Sequence, residues 1–472
     1  MITSYPRTFK DIPKYYAFEG KKFWTILDTG KRVSGELTLR DDNATLQFEV
    51  HRGKAGEFDG KRFKKTVGIG DKSTRITLLN SYISESLYSG FLKQGPASFN
   101  LKPSLLVFHD GTQKTPDKIT NFTGYLPGIG EWFDEDFLEF NYDEYKFKNT
   151  KTIYHTIPIW RDIKIVLNSK LTIDYESAIV EGKFLAYPES YIEIEYGNDS
   201  TTIDSAINVF NHIENFFNFI FLSPHTTHVF TSDLKLGKSN KTSKAYIIAP
   251  NKSKEYRRED KHHGNSMLFK FADISNVNDV FINWVVQYDK IHEIVDTLLL
   301  LKSTSISEEM RFTSIINALE SVHRRYHDHK NEDDKQYQAR IKKIVQQLDK
   351  EEDRQLVNSR LQHGNEISLR SRLKEAYAMG ELHGIQKPSS QTTNKIIDTR
   401  NYYTHGDQAG KKDILTYNEL FSVNGLLGRY LKLLLLQVLG IEQTELTEIV
   451  SNSAQFKEYY RDEPSKRYPY PL

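Results

Sequence analysis

The sequence predicts an α+β protein of two domains. A β-rich domain with one packed helix covers residues 1–275, and an all-α helical bundle covers 276–472. Three observations lead there. Apolar residues alternate with polar ones through the first half, whereas through the second they recur at three- and four-residue intervals. The chain also has 472 residues, with 38% hydrophobic and 12% aromatic content, more than one core accommodates and enough for two.

The strands come first. "SGELTLRDDNATLQFEVH" sets Leu37 and Leu39 against Glu36, Thr38 and Arg40, then Leu46, Phe48 and Val50 against Gln47, Glu49 and His51. Asp41, Asp42 and Asn43 between them are turn formers, so the stretch reads as a hairpin with one buried face. "RITLLNS" at 75–81 and "YIEIEYG" at 191–197 read as further strands, the latter turning Ile192, Ile194 and Tyr196 inward. One helix interrupts this pattern. From Ile203, the positions Ile207, Phe210, Ile213, Phe217 and Ile220 follow the helical period, and Pro224 closes the element. Polar stretches, among them "RREDKHH" from Arg257 to His263, precede a domain boundary placed near residue 275.

The helices follow. "VFINWVVQYDKIHEIVDTLLLLK" forms the first, and Ser305-Ile306-Ser307-Glu308 reads as a capping box opening the second. The stripe Phe312, Ile315, Ile316, Leu319, Val322 and Tyr326 faces the core. Shorter helices are expected at 335–348 and 368–380. Another carries "TRNYYTHGD" at 399–407 and stops at Gly406, and a leucine-rich helix is expected from Asp413 to Leu439.

Bulk properties exclude several functions. A formal net charge of +1 provides no global field for nucleic acid or membrane, so a polyanion has to be recognised by a local cluster. With no cysteine there is no disulfide, thiolate nucleophile or zinc–thiolate site. The opening "MITSYPRTFKDIPKYY" lacks the apolar core of a signal peptide. The longest apolar run, "LLGRYLKLLLLQVLGI", is interrupted by Arg429 and Lys432 and is too short to span a bilayer. A cytoplasmic protein with no membrane partner is expected.

The chemistry concentrates at 399–407. Arginine followed by histidine a few residues later recurs elsewhere, as in Arg257 to His262 and Arg324 to His329. Of these pairs, only Arg400 is followed directly by a small amide, Asn401, and only Arg400 and His405 sit between two strongly apolar helical segments with a glycine stop right behind the histidine. Asn401 and His405 lie four residues apart on one helix face, and the long side chain of Arg400 can reach the same cleft. His405 falls in the last turn, where the negative end of the helix favours an imidazolium. A histidine that exchanges protons, beside a guanidinium that grips phosphate oxygens, matches what cleavage of RNA by its own 2′-hydroxyl requires. The bland alternative is a helix end on which Arg400 and His405 pair with acids.

Other candidates have two readings each. Glu320 orients Arg400 or His405 across the bundle, or forms a surface pair with Arg324. Tyr402 stacks a nucleobase, while Tyr403 packs in the bundle. Lys411 and Lys412 contact RNA phosphates or form a solvated loop. His323 and His327 have metal-ligand spacing but no further ligands in view, so they read as a solvated helix end and no metal site is expected. The loop from Arg257 to His263 reads as exposed, at most a weak phosphate contact. No Walker loop, dinucleotide fingerprint or nucleophile elbow is present.

"RNYYTHGD" followed by a leucine-rich helix resembles the signature of HEPN domains, helical bundles that include many ribonucleases of defence and toxin systems. Upstream, "RFTSIINALESVHRR" and "LQHGNEISLRSRLKEA" resemble the first and middle helices of the Apea-like branch. "VSGELTLRDDNATLQFEV" and "RITLLNS" resemble that branch's β-rich N-terminal region. The resemblance implies Arg400 and His405 as a catalytic pair, with Asn401 as the polar residue after the arginine. It implies metal-independent RNA cleavage without a cofactor, with tRNA among the candidate substrates, and abortive infection as a defence against phage. A related group of HEPN toxins carries a tyrosine two residues after the histidine, where this chain has Asp407, which argues against nucleotidylation there.

The N-terminal domain is then expected to sense or restrain, with a phage protein as a candidate trigger. At least a homodimer is expected, because one helix end supplies one imidazole while RNA cleavage is better served by two. The leucine-rich helix favours this, as holding more apolar surface than one bundle face needs; the alternative buries those leucines against the helices near 290 and 315. The competing functions are a non-catalytic HEPN scaffold that binds RNA or dimerises, and a receptor centred on the N-terminal domain.

Overall fold

The computed structural model describes residues 21–40, 43–69, 74–88, 95–110, 118–133, 138–141, 146–149, 153–160, 163–174, 185–197, 200–235, 242–250, 267–301, 306–327, 330–361, 364–406 and 413–457. The chain forms two compact units. One comprises Met1–Asn218 with Pro224–His262, and the other Phe219–Ser223 with His263–Leu472.

The first unit is built on antiparallel strands. Strands β1 (Lys21–Ile26), β2 (Lys31–Arg40), β3 (Asn43–His51), β4 (Arg62–Ile69), β5 (Thr74–Tyr88) and β6 (Pro96–Lys102) are ordered β5-β4-β1-β2-β3-β6. A further pairing of β5 with β6 closes them into a barrel. The length of β5, 15 residues, permits this. Its first part pairs with β7 (Leu105–Asp110), and its second part turns away to β6, past Asn80 at φ 49° and a register shift between Ile83 and Glu85. The anticipated hairpin is β2–β3, with Leu37 opposite Leu46. Inside, Phe48 stacks on Phe99 at 5.6 Å and meets the edge of Phe58 at 5.4 Å. Gly68 lies opposite Trp24, whose ring a Cβ at that position would meet at 2.5 Å.

The sheet continues beyond the barrel. Strands β8 (Asn121–Tyr125), β11 (Ile153–Trp160), β12 (Ile163–Asp174), β13 (Leu185–Glu195), β14 (Val229–Lys235) and β15 (Thr242–Ile248) extend it in the order β7-β15-β14-β8-β13-β12-β11. Two short strands, β9 (Leu138–Asn141) and β10 (Lys146–Asn149), pair separately. The short helix α1 (Ile129–Phe133) and the long α2 (Ile203–Phe221) supply the second core. Phe210 packs edge-on to Phe230 at 5.1 Å, and Trp132 to Phe217 at 5.2 Å. The expected stripe Ile207, Phe210, Ile213, Phe217 and Ile220 is buried.

The second unit is helical: α3 (Val277–Leu301), α4 (Glu308–Tyr326), α5 (Asp334–Gln346), α6 (Glu351–Leu361), α7 (Leu369–Leu382), α8 (Ser390–His405), α9 (Tyr417–Val438) and α10 (Gln443–Asn452). Three expectations need correction. The N-cap of α4 is Ser307, which accepts from the Met310 amide, rather than Ser305. Helix α9 starts at Tyr417 instead of Asp413, because Thr416 caps it and Glu419 reaches back to the Thr416 amide at 2.7 Å. Its leucines offer no surplus surface: Leu426, Leu427, Leu431 and Leu433 to Leu436 are all buried, with α9 packing against α3, α4, α7 and α10. The cations that interrupt this run are buried too. Lys432 donates to the Gln455 carbonyl at 2.5 Å and Arg429 to the Phe456 carbonyl at 3.3 Å.

Candidate active site

Helix α8 presents the Arg400 motif. Ser389 caps its start by accepting from the Thr392 amide at 3.1 Å. Its end is set by Gly406, left-handed at φ 65°, whose amide bonds the Tyr402 carbonyl at 2.9 Å. His405 is therefore the last helical residue. Two contacts tie α8 to the start of α9. Lys395 pairs with Glu419 at 2.7 Å, and the fully buried Thr399 accepts from the Leu415 amide at 2.8 Å.

Arg400 is held from two sides. Its Nη1 donates to Oδ1 of Asn401 at 3.3 Å, and its Nη2 lies 3.3 Å from Oε1 of Glu320 on α4. The two ion-pair side chains are 23% and 14% exposed, so the pair is partly desolvated. Of the two readings open for Glu320, the geometry joins it to Arg400, while Arg324 pairs instead with Glu366 at 2.9 Å. Arg400, Asn401 and Glu320 open onto a cleft of about 390 Å³. Its wall is completed by Arg324, considered above only as a partner of Glu320, and by residues the sequence reading passed over, among them Arg370 and Arg372. The overlooked signal was a pair of arginines, Arg370 and Arg372, at the start of a helix with no acid in its first turn.

Tyr403 is half-buried and meets Phe312 edge-on at 6.5 Å, with Tyr402 beside it at 5.3 Å. Burial, followed by the charge of Glu309, raises the Tyr403 phenol above its ordinary value, so it stays protonated. Asp407, Lys411, Lys412 and the Arg257–His263 loop lie outside the described residues, as does the side chain of His405. These residues are therefore not placed relative to the cleft.

His323 departs from the solvated helix end expected of it. Its ring is 3% exposed, with Nδ1 3.0 Å from Nη1 of Arg372 and Nε2 2.7 Å from Oε2 of Glu375. His327 caps the end of the same helix through its backbone amide. Among the described residues, no group of three or more His, Asp or Glu is arranged to hold a metal ion. Nor is any described helix long and apolar enough to cross a membrane.

A β-barrel unit joined to a helical unit, with a polar Arg–Asn–His motif at a helix end, defines a HEPN protein with an attached β domain. The family models agree: the description "ApeA N-terminal domain 1" matches residues 21–284, and "Apea-like HEPN" matches 313–445. The chain belongs to the ApeA family of Apea-like HEPN proteins, a defence-associated group of the nuclease type. No curated protein and no solved structure matches it.

Proposed function

We propose that this protein is a metal-independent endoribonuclease of phage defence whose active site is centred on Arg400 and His405. The 2′-oxygen of a ribose attacks the adjacent phosphorus, forming the P–O2′ bond as the P–O5′ bond breaks. His405 takes the proton from the 2′-hydroxyl or gives one to the departing 5′-oxygen. Arg400 holds the charge on the phosphate oxygens in the transition state. Asn401 and Glu320 act as positioning residues, because both hold the guanidinium rather than the substrate. The products end in a 2′,3′-cyclic phosphate and a 5′-hydroxyl.

The observation that supports this reading most is the setting of Arg400. The guanidinium is oriented by Asn401 and by Glu320, and it borders an open cleft one turn before the helix ends at His405. A helix-end arginine with no function beyond solubility needs neither a partly buried carboxylate partner nor a cleft. The β unit is the regulatory part of the proposal. Its sequence shows no convergent acid, base or nucleophile pattern, and a toxic nuclease needs restraint until a trigger, for instance a phage protein, shifts it to the active state. Abortive infection through cleavage of RNA such as tRNA then follows in the cytoplasm. The active unit in this reading is a homodimer that supplies two imidazoles to one phosphate.

Sequencing of RNA 5′-hydroxyl ends from cells expressing the protein tests the proposal. Wild type should generate new ends, and Arg400→Ala or His405→Ala should lose roughly two to four orders of magnitude of cleavage. Purified His405→Ala protein that degrades RNA as wild type does would overturn the assignment.

A further inference from the structure

We propose that Arg324, Arg370 and Arg372 form a phosphate-binding subsite beside Arg400, which holds a neighbouring phosphate of a single RNA strand. Only the identity of the ligand rests on the nuclease reading.

Charge is the first argument. In a chain of net charge +1, four guanidinia line one cleft of about 390 Å³, and the carboxylates at hand among the described residues are Glu320 in its wall, Glu366 beside it and Glu375 behind His323. Glu366 is shared, 2.9 Å from Arg324 and 3.9 Å from Arg372. The excess is positive and sits in a concave space, where a bound anion is least screened by water.

Placement agrees with charge. Arg370 and Arg372 lie in the opening turns of α7, which Ser368 caps by accepting from the Ser371 amide. That end of a helix carries the positive pole of its dipole, so cations there oppose the field and anions are favoured. No acid in the first turn relieves the conflict. A local conflict of this kind is expected where a site needs it. The helix start contributes only by agreeing in sign; the arginines in the cleft wall carry the proposal.

The guanidinium of Arg372 is also preorganised. Arg372 is 4% exposed, yet it is placed in the cleft wall. His323 holds it from behind through Nδ1 at 3.0 Å, and Glu375 fixes that ring through Nε2 at 2.7 Å. A guanidinium only donates, so Nδ1 must accept and the imidazole is neutral. The partner steers Arg372 without cancelling its charge. Arg370, by contrast, is exposed at the rim and can meet an incoming strand first. The volume lies in the range of small-ligand pockets, which suits a nucleotide-sized piece of one strand.

The test uses the full chain and a fluorescein-labelled, mixed-sequence single-stranded RNA, 2′-O-methylated throughout so that it cannot be cleaved. Binding is followed by anisotropy over a series of salt concentrations. Arg370→Ala should weaken binding about three- to tenfold and reduce the salt slope by about 0.7, the share of one phosphate contact. Arg370→Lys should keep the slope, and the exposed position makes both variants expected to fold with an unchanged thermal midpoint. On cleavable RNA, Arg370→Ala should raise KM and leave kcat unchanged. Failure of wild type to bind the probe, or unchanged affinity and slope in Arg370→Ala, would overturn the subsite. If that happens while wild type still produces 5′-hydroxyl ends, the nuclease reading stands alone. If binding behaves as expected but no RNA is ever cut, the subsite stands and the nuclease reading falls.

Discussion

Between Arg372 and Glu375, the ring of His323 must carry its proton on Nε2, because the guanidinium leaves Nδ1 to act as acceptor. Burial is the main cause that lowers its pKa below the ordinary 6.5, helped by Arg372 and His327 and opposed by Glu375. The sign follows from linkage. The unfolded chain takes up a proton at this residue near pH 6.5, while the folded chain does so only at lower pH. Stability from this site is therefore complete above that value and is lost as the pH falls below it. His383, also buried and likewise lowered, adds a similar trend of its own. His323→Gln offers one acceptor and one donor that do not titrate. Chemical denaturation between about pH 7.5 and about pH 5 should show a shallower loss of stability in His323→Gln than in wild type. Equal slopes in the two proteins would refute the neutral, buried ring. Nothing in "HRRYHDH" announced this ring's role, since its partners come from α7, 49 and 52 positions away. By contrast, Arg400 and Asn401 stand out in the sequence because the contact between them is local.

Helices α8 and α9 are joined at the residue just before the motif. Thr399 donates to the Lys395 carbonyl at 2.6 Å and accepts from the Leu415 amide at 2.8 Å while fully buried. Thr399→Val keeps the shape but strands that amide without a partner, which costs about 1–3 kcal/mol. Urea denaturation should show that loss, with Thr399→Ser retaining most of the stability; an unaltered midpoint in Thr399→Val would show that the tether is immaterial. The stripe Phe312, Ile315, Ile316, Leu319 and Val322 is buried as its spacing predicted, with Tyr326 at its end only half-buried, since amphipathic period is a local property. Helix α6 went unanticipated because it buries no residue and so has no stripe. The β2–β3 hairpin was legible from alternation and its turn residues. Barrel closure was not, because it depends on β5 pairing with β6 around a shifted register that no alternation pattern records. Leucine content misled in the other direction. Composition measures how apolar α9 is, and only its four packing partners show that the surface is already used.

At the scale of the whole molecule the proposed homodimer is constrained by that result. Its contact cannot be the leucine run of α9, which is consumed inside one bundle, so a second copy must use another face. The reason to expect a second copy is chemical: one motif brings one imidazole, whereas cleavage needs a proton removed from the 2′-hydroxyl and another delivered to the 5′-oxygen. A twofold axis beside the motif repeats Arg400 and His405 together with every other residue, completing the site without new sequence. Mixing decides between a shared site and two independent ones. Wild type and His405→Ala protein are combined in equal amounts, allowed to exchange subunits, and assayed for release of 5′-hydroxyl ends. If one intact motif is not enough, only wild-type homodimers cut, and activity should fall to about a quarter of that of undiluted wild type, because random pairing leaves about that fraction of dimers intact. A fall to about half, which is simple dilution, means that each chain works alone and that the shared site is wrong. Light scattering at the assay concentration sets the frame for both outcomes, since a protein that stays monomeric and fully active rules out the shared site by itself.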